Sequence, residues 1–253
     1  MNFQERKKKI MAAVDEFGSL SVFELSEKLG MSPATIRRDL HDIAEEGLLL
    51  RTHGGAMKIE GLVLTSFAAK AGHNEDKKDK IAQLAAGYVA DNDIIFMDCG
   101  STVFKMCRYL KKRKGIKVIT NSLPIMAELI DTPSISLNLI GGEIDKSRKA
   151  VHGHKAIAHI ESYHAHKAFI GIDGISAQNG LTAHSEHESS ITSAFINNAS
   201  QVFVLCDSSK IGKDSHMKVA SLSQVNSLFT DPDLDAPRKK ELMESGLDVV
   251  VAD

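Results

Sequence analysis

Short polar segments directly follow apolar runs in the second part of the sequence, and their residue types are suited to binding a phosphate group. The clearest is Asp98-Cys99-Gly100-Ser101-Thr102, which comes after the apolar run Ile94–Met97. Glycine lets the backbone approach a ligand closely, while serine and threonine add hydroxyl groups to the free N–H groups at the start of a helix. Later apolar runs also end in polar or glycine-bearing segments, at 120–122, 141–143, 171–174 and 206–210.

These segments predict one ligand site if the apolar runs are parallel strands. The carboxyl ends of parallel strands meet at one edge of a sheet, and open α/β sheets bind their ligands at that edge. Ordinary turn chemistry is the alternative, because a strand-to-helix turn with an N-cap explains a single segment such as 98–102 about as well.

A second group of residues, near the amino terminus, could read DNA. In the segment Ser32–Leu40, helical spacing leaves these residues on the outer side, with Thr35 at its border: Pro33, Ala34, Thr35, Arg37 and Arg38. Arginine can chelate O6 and N7 of guanine in the major groove, and threonine or alanine can contact phosphate or the thymine methyl group. Arg51, His53 and Lys58 follow on a hairpin, where a wing reaches the DNA backbone or the minor groove.

The cations of such an interface must be placed locally, because the sequence is not basic overall. Lys and Arg number 31 against 33 Asp and Glu, a net charge of −2, and residues 1–60 alone contain nine basic and ten acidic side chains. Two arginines on a helix also form an ordinary solvated face. The DNA-reading interpretation therefore depends on the elements that surround them.

Those elements form a winged helix-turn-helix. Ile10, Val14 and Phe17 give the first helix one apolar face, and Gly18 ends it. Ser21 caps a second helix over 22–29 with a capping-box glutamate three residues on, and Ser32-Pro33 starts a third, which runs to about residue 46. Two short β-like runs around Gly54-Gly55 then predict a hairpin.

From residue 74 onward, helical and strand-like segments alternate. The apolar runs near 94–97, 118–119, 137–140, 168–172, 202–205 and 247–251 alternate with amphipathic segments, a pattern typical of a mostly parallel sheet covered by helices. We therefore expect an α/β protein with a winged helix-turn-helix domain over 1–59, a partly ordered linker over 60–73, and a larger α/β domain over 74–253.

The motifs of both parts resemble the DeoR family of bacterial transcriptional repressors. The resemblance is dense over Glu24–Leu40, Gly47-Leu48 and Arg51–Ala56, and it continues through segments of the larger domain to about residue 251. It implies that the third helix reads an operator through Ser32, Thr35, Arg37 and Arg38, and that His53 belongs to the wing. It also implies a homo-oligomer, a dimer or a tetramer, and a larger domain resembling ribose-phosphate isomerase that binds a phosphorylated sugar.

The matching segments carry the residues that the resemblance implies for the effector site. They are Asp98, Gly100, Ser101, Thr102, Asn121, Ser122, Gly141, Gly142, His152, Asp173, Thr182, Glu188 and Lys210. By their chemistry, Gly100, Ser101 and Thr102 would hold the phosphate, with Asn121 and Ser122 nearby. Asp173 and Glu188 would accept from sugar hydroxyls, and Lys210 would pair with phosphate or a carboxylate. The simpler interpretations are that Glu188 is an exposed helix carboxylate and that Lys210 is a surface lysine.

The sequence departs from the family at one place in this site. Family members commonly carry a basic pair four and five residues after the glutamate, whereas this sequence has Thr192 and Ser193 there. The missing cation predicts either a different ligand or a site completed by another group, such as His184 or His187.

Several other classes of function are disfavoured. Cys99, Cys107 and Cys206 form no CxxC pair and lie in apolar runs, as reduced thiols usually do. Histidines crowd residues 152–166, but no cysteine lies close by to complete a metal site. There is no signal-peptide core, and no run approaches the roughly 18 apolar residues of a membrane span. We expect a cytoplasmic protein without metal, cofactor or membrane partner.

Three functions are compared on this basis. The leading one is a repressor of a sugar or polyol catabolic operon, with operator DNA as its partner and a phosphorylated sugar or polyol as its effector. The second is an isomerase-like enzyme acting on a sugar phosphate, with Glu188 or Asp173 as its base. The third, a redox or metal sensor, is remote because of the cysteine contexts. The DNA-reading segment favours the first, and no catalytic residue is expected.

Overall fold

The chain divides into two compact units, residues 1–72 and 73–253. The computed structural model describes residues 2–45, 48–52, 54–57 and 66–253. The first unit contains α1 (Phe3–Phe17), β1 (Ser19–Ser21), α2 (Val22–Leu29), α3 (Pro33–Glu45), β2 (Leu50–Thr52), β3 (Gly55–Met57) and α4 (Phe67–Gly72). The last of these helices lies within the segment that the sequence predicted as a linker.

Capping residues set the ends of the first helices, as predicted. Ser21 accepts from the Glu24 N–H and completes a capping box at the start of α2, and Gly18 and Gly30 follow α1 and α2 with positive φ. The strands form a small antiparallel sheet in the order β1-β3-β2, in which β1 was not predicted. Phe17, predicted on the buried face of α1, is 48% exposed, with the Lys28 Nζ 3.9 Å from the centre of its ring.

The second unit is built on a seven-stranded sheet. Its elements begin with α5 (Glu75–Ala86), β4 (Ile94–Met97), α6 (Ser101–Lys105), α7 (Cys107–Leu110), β5 (Ile116–Thr120), α8 (Leu123–Leu129), β6 (Ile135–Leu139), β7 (Glu143–Asp145), β8 (Ala150–His152) and α9 (His154–Glu161). They continue with β9 (Ala165–Gly171), β10 (Gly174–Ser176), β11 (Gly180–Ala183), α10 (Glu186–Asn197), β12 (Ala199–Leu205), β13 (Met217–Ala220), β14 (Ser227–Thr230), α11 (Ala236–Glu244) and β15 (Asp248–Val251).

The main sheet has the order β15-β14-β12-β9-β4-β5-β6, and its neighbouring strands pair in parallel. Successive residues of a strand point to opposite faces, so Phe96 joins the core on one face while Ile95 and Met97 join the core on the other. The expected α/β architecture with a mostly parallel sheet is confirmed. The short strand β14 was not predicted, because only Leu228 and Phe229 in it are strongly apolar.

Two smaller sheets accompany the main one. Strands β10, β11 and β13 form an antiparallel sheet, and β7 pairs with β8 in a hairpin, called here the 143–152 hairpin. Neither was predicted, because their strands are short and largely polar or small. Both matter for the site, since they carry residues to the carboxyl edge of the main sheet.

Candidate functional site

Helix α3 presents its polar residues to solvent while its apolar side fills the core of the first unit. The Ser32 Oγ accepts a hydrogen bond from the Thr35 N–H at 3.2 Å, and the two hydroxyl groups lie 2.9 Å apart. Arg37 and Arg38 are exposed, whereas Ile36 is fully buried. The two guanidinium groups are therefore accessible to a DNA duplex.

The acidic residue that follows the two arginines is turned inward. The Asp39 carboxylate is buried, and Arg6 of α1 donates to it twice, from Nε at 2.6 Å and from Nη2 at 2.8 Å. The hydrogen bond to Asp39 raises the pKa of Arg6. Asp39 thus fastens α3 to α1, a role that sequence reasoning missed because the partners are far apart in the chain.

The predicted wing is described only in part. Arg51 lies on β2, opposite Ala56 of β3, and its side chain is exposed. His53 and Lys58, also predicted to contact DNA, lie outside the described residues.

In the second unit, the order of the main sheet reverses between β4 and β9. From β4 the chain adds β5 and β6 on one side, and from β9 it adds β12, β14 and β15 on the other. A crevice forms at the carboxyl ends of strands at such a reversal, and open α/β sheets bind ligands there. The segments that follow β4, β5 and β9 therefore define the candidate effector site.

Asp98 joins the two strands at this reversal. Its Oδ1 accepts from the Gly100 N–H and its Oδ2 from the Gly171 N–H, both at 2.7 Å. A Cβ on Gly100 would lie 2.8 Å from the Asp98 Oδ1 and 3.1 Å from the Gly171 Cα, so the close approach requires glycine. Burial raises the pKa of Asp98 to about 7, although the two N–H groups and the charge of Arg148 act to lower it.

The residues after Gly100 and after β5 are also buried. Ser101 and Thr102 begin α6 and are 6% and 3% exposed. Ser122 caps α8, where its Oγ accepts from the Ile125 N–H at 3.4 Å. These three residues are buried at the starts of the helices that follow β4 and β5.

Arg148 is the cation of this site, and sequence analysis did not single it out. It lies in the turn of the 143–152 hairpin, its side chain is only 12% exposed, and its guanidinium pairs with the Glu188 carboxylate of α10. Burial lowers the pKa of Arg148, but the nearby Cys99, Glu188 and Asp173 raise it by more, so the pKa of Arg148 lies above its usual value. An arginine in a polar turn looks like any surface arginine in a sequence, and only the fold brings it inside.

Two buried polar side chains near the hairpin carry atoms without hydrogen-bond partners. Asn121 is fully buried, and its Nδ2 donates to the Val151 carbonyl at 3.1 Å, but its Oδ1 has no partner within the described part of the chain. Neither ring nitrogen of His152, which is 5% exposed, makes a hydrogen bond of normal geometry within that part of the chain, and the backbone of His187 is a polar group beside the ring. Burial lowers the pKa of His152, so the ring is neutral at pH 7. Such atoms are rare in folded proteins and mark a place where a ligand or water supplies the partner.

Other predicted effector residues surround this centre, and neighbouring groups occupy several of them. The Asp173 Oδ2 accepts from the His184 N–H at 3.2 Å. The Thr182 Oγ1 accepts from the Ser215 N–H at 2.9 Å, and the Lys210 Nζ donates to the Ile172 carbonyl at 2.5 Å. The Lys210 side chain is thus held at the residue that precedes Asp173.

The two glycines after β6 lie at the base of the hairpin. The Gly141 N–H donates to the His159 Nδ1 at 3.1 Å, and a Cβ on Gly142 would lie 2.6 Å from the His152 carbonyl oxygen. Gly142 therefore allows β8 to approach closely. This packing positions His152, and both glycines are themselves exposed.

The positions of the missing basic pair face away from the solvent. Thr192 is 8% exposed, and the Ser193 Oγ donates to the Val219 carbonyl of β13 at 2.8 Å. Of the two histidines expected to compensate, His187 has its ring centre 6.4 Å from that of His152, and the His184 Nε2 lies 3.4 Å from the Ser215 Oγ. Arg148 supplies a cation from a different element.

The carboxyl ends of β12 and β14 are closed by internal bonds. The Lys77 Nζ lies 3.0 Å from the Asp231 Oδ1 and 2.6 Å from the Asp233 Oδ2, and the Asp207 Oδ1 accepts from the Asn74 Nδ2 at 3.1 Å. Because these groups satisfy one another, they fasten α5 to the sheet. The candidate site therefore lies at the ends of β4, β5 and β9.

The remaining histidines and cysteines have ordinary surroundings. The His164 Nε2 lies 2.9 Å from the Ser200 Oγ, and the His166 Nδ1 lies 3.3 Å from the Asp93 Oδ1. Burial raises the pKa of Cys107 and of Cys206 to about 12. Within the described ranges, no group of three or more metal-ligating side chains converges, and no helix is both long and apolar enough to cross a membrane.

Comparison with known proteins covers both units. Residues 73–232 match the family model described as DeoR C terminal sensor domain, and residues 6–61 match the DeoR-like helix-turn-helix domain. The HTH-type transcriptional regulator GlpR of Haloferax volcanii is 32% identical over 247 residues, covering 97% of this chain and 96% of its own. The lactose phosphotransferase system repressor of Lactococcus lactis subsp. lactis is 32% identical over 249 residues, covering 96% and 97%.

A third relative is the glycerol-3-phosphate regulon repressor of Escherichia coli K12, 29% identical over 231 residues, covering 91% of this chain and 92% of its own. These relatives are named as regulators or repressors, not as enzymes. Among solved structures, ribose 5-phosphate isomerase A from Methanocaldococcus jannaschii gives a TM-score of 0.40 with 23% identity over 54% of each chain. The eIF2B delta structure from Chaetomium thermophilum gives 0.43 with 18% identity, covering 62% of this chain and 56% of its own. These two partial likenesses have no bearing on activity.

Proposed function

Because the chain belongs to the DeoR family of transcriptional regulators, we propose that it represses a sugar or polyol catabolic operon and that a phosphorylated sugar or polyol controls its affinity for the operator. Relatives named for a glycerol-3-phosphate regulon and a lactose phosphotransferase system support this class of effector. We assign DNA binding to residues 1–59 and effector binding to residues 74–253.

The effector-binding part of the proposal rests on the buried polar atoms of Asn121 and His152. The Asn121 Oδ1 needs a donor, and the neutral His152 ring can donate from one nitrogen and accept at the other. Sugar and polyol hydroxyl groups donate and accept, so they match this set. An apolar ligand would leave these atoms unpartnered, at a cost of about 1–3 kcal/mol for each atom.

The remaining predicted residues take roles by position and chemistry. Gly100, Ser101 and Thr102 offer backbone N–H and hydroxyl groups to the phosphate, with Ser122 on the neighbouring strand end. Asp173 accepts from hydroxyl groups, and Glu188 lies in the same site beside Arg148. Asp98 orders the loop, and Gly141 and Gly142 shape the base of the hairpin. Thr182 and Lys210, both held by backbone groups, position Ser215 and the end of β9.

In the DNA-binding half, Arg37 and Arg38 read bases from α3 while Ser32, Thr35 and Arg51 contact the backbone. Two or more copies bind together, as a dimer or a tetramer. An effector can change operator affinity only if it binds the DNA-competent and DNA-incompetent arrangements with different affinity. Repression and its relief are then one coupled equilibrium.

The DNA half is tested by replacing one arginine. Arg37→Ala is expected to abolish specific operator binding without unfolding the chain, because a bidentate arginine–guanine contact is worth about 1–3 kcal/mol in each subunit. The operator is first obtained by in vitro selection with the wild-type protein and then used in a gel-shift titration. Lys8→Ala, which removes an exposed cation from α1, is the matched control. A sequence-selective shift that survives Arg37→Ala would refute the role of α3.

The effector half is tested with a panel of phosphorylated sugars and polyols. A true effector raises the melting temperature by mass action, with about 2.7 kcal/mol of added stability at a hundred times its dissociation constant. The same compound is expected to change the operator gel shift, whereas its unphosphorylated form has no effect. If no compound of the panel changes the melting temperature or the operator gel shift, the proposed effector class is contradicted.

A further inference from the structure

In the 143–152 hairpin, one charged side chain of an otherwise exposed turn points into the protein. Residues 143–147 and Lys149 are exposed, while the Arg148 side chain is 12% exposed. The Arg148 N–H donates to the Asp145 Oδ1 at 2.9 Å, and Lys149 has a φ of 51°, in the left-handed region that a lysine seldom adopts. This unusual backbone turns Arg148 toward the site.

The partner of Arg148 has a second place to bind. Glu188 is the third residue after the N-cap Ser185 of α10, which is the spacing of a capping box. The Ser185 Oγ accepts from the Glu188 N–H at 3.2 Å and donates to the Glu188 Oε2 at 3.3 Å, while the other carboxylate oxygen faces Arg148. In a complete capping box a carboxylate at this position accepts from the N-cap N–H, a bond that Glu188 does not make to Ser185 in the structure. Glu188 can therefore leave Arg148 without becoming a buried, unsatisfied charge.

Charge also favours an exchange at this point. Asp98, Asp173 and Glu188 are the carboxyl groups whose fields act on Arg148 or on one another. A phosphate brought beside Arg148 while Glu188 stays in place would meet an already neutralised cation and further negative charge. Removing one partner of a buried ion pair leaves the other charge uncompensated, so Glu188 can leave Arg148 only when another anion takes its place.

We propose that Arg148 receives the anionic group of the effector, and that this anion replaces the Glu188 carboxylate, which moves to cap α10. The proposal rests on the proposed function of this site and names the residue that recognises the charge of the ligand. It places the cation on the hairpin, although relatives of the family commonly carry a basic pair on the helix. Helix α10 is hydrogen-bonded to β13, where Ser189 donates to the Lys218 carbonyl and Ser193 to the Val219 carbonyl. The exchange therefore alters the contacts at the start of a helix that is bonded to the smaller sheet.

The experiment is a charge-exchange cycle with inorganic phosphate as the probe. Isothermal titration at pH 7 compares the full-length wild type with Arg148→Gln, Glu188→Gln, and the double variant. Glu188→Gln is expected to bind phosphate about tenfold more tightly, equivalent to about 1.4 kcal/mol, because the internal competitor is gone. Arg148→Gln and the double variant are expected to bind at least about tenfold more weakly than wild type. Lys146→Gln, which removes an exposed charge from the same hairpin, is expected to stay within about twofold.

Each result decides the proposal. Equal or weaker phosphate binding by Glu188→Gln, or wild-type binding by Arg148→Gln, overturns it, as does an absence of phosphate binding in both the wild type and Glu188→Gln. If Arg148→Gln does not fold, Glu188→Gln still gives the opposite and diagnostic sign. A protein that responds to a sugar phosphate equally with and without Arg148 retains the proposed function and refutes only this inference. A wild type that binds no operator refutes the proposed function whatever the phosphate titration shows.

Discussion

Asp98 illustrates how a single buried carboxyl group can organise a ligand site. It accepts from the N–H groups of Gly100, which follows β4, and of Gly171, the last residue of β9. It is 4% exposed, and burial raises its pKa from 3.8 to about 7. The folded protein therefore keeps the proton to a higher pH than the unfolded chain does. Ionisation of this group opposes folding.

This gives a prediction for pH. Because the folded-state pKa is raised, the Asp98 contribution to stability falls as pH rises from about 4 to about 7, and the loss is complete above that range. Asp98→Asn removes this titration, so on going from pH 5 to pH 8 its unfolding free energy should fall less, or rise more, than that of the wild type. The two changes in unfolding free energy should differ by at least about 1 kcal/mol. Urea unfolding of both proteins across this range gives the difference, and parallel pH profiles would contradict the prediction.

At the scale of elements, the first unit depends on a contact between helices that lie far apart in the sequence. Asp39 of α3 and Arg6 of α1 are joined by two hydrogen bonds, and Asp39 is fully buried. Asp39 follows Arg38 directly, so its bonds to Arg6 fix the rotation of α3 about its own axis. That rotation decides which side chains α3 presents to solvent, among them Arg37 and Arg38.

Removing one partner tests this lock between helices. Arg6→Ala leaves the Asp39 charge buried without compensation, so the first unit should melt at a clearly lower temperature. Arg6→Ala combined with Asp39→Asn should recover part of that loss, because the uncompensated charge is then absent. The temperature dependence of operator binding by the full chain reports on this unit, with Lys8→Ala as the matched control. A double variant that is less stable than Arg6→Ala alone would show that the pair acts in another way.

At the scale of the whole molecule, a nearly neutral chain carries a DNA-reading unit and a sensor unit. With 31 basic and 33 acidic side chains, the protein has no general attraction to the phosphate backbone. Binding to unrelated DNA depends on such attraction and weakens steeply with salt. The proposed repressor must therefore rely on base contacts and on several subunits acting together.

The corresponding prediction concerns specificity. Affinity for a scrambled duplex should be at least about a thousandfold lower than affinity for the selected operator, and the salt slope should correspond to few phosphate contacts per subunit. Fluorescence anisotropy with duplexes of equal length, at two salt concentrations, measures both quantities. Comparable binding to the two duplexes at physiological salt would contradict the prediction.

Features whose signals are local could be predicted from the residues along the chain. Ser21 with Glu24, Ser32 with Pro33, and Gly18 set helix ends through contacts three or four residues away, and alternating apolar segments established the parallel sheet. The positions of the main strands followed from their apolar side chains, whereas β1 and β14 were missed because they are short and carry few such residues.

Which distant residues meet could be seen only in the folded chain. Arg148 and Glu188 come together because the hairpin after β6 and the helix before β12 reach the same edge of the sheet, and Asp98 meets Gly171 because β9 pairs with β4. The inward turn of Asp39 likewise depends on the packing of α1 against α3. Charge and hydrogen-bonding capacity are properties of single residues and can be read along the chain. Their partners depend on strand order and helix packing, which bring together side chains separated by dozens of residues.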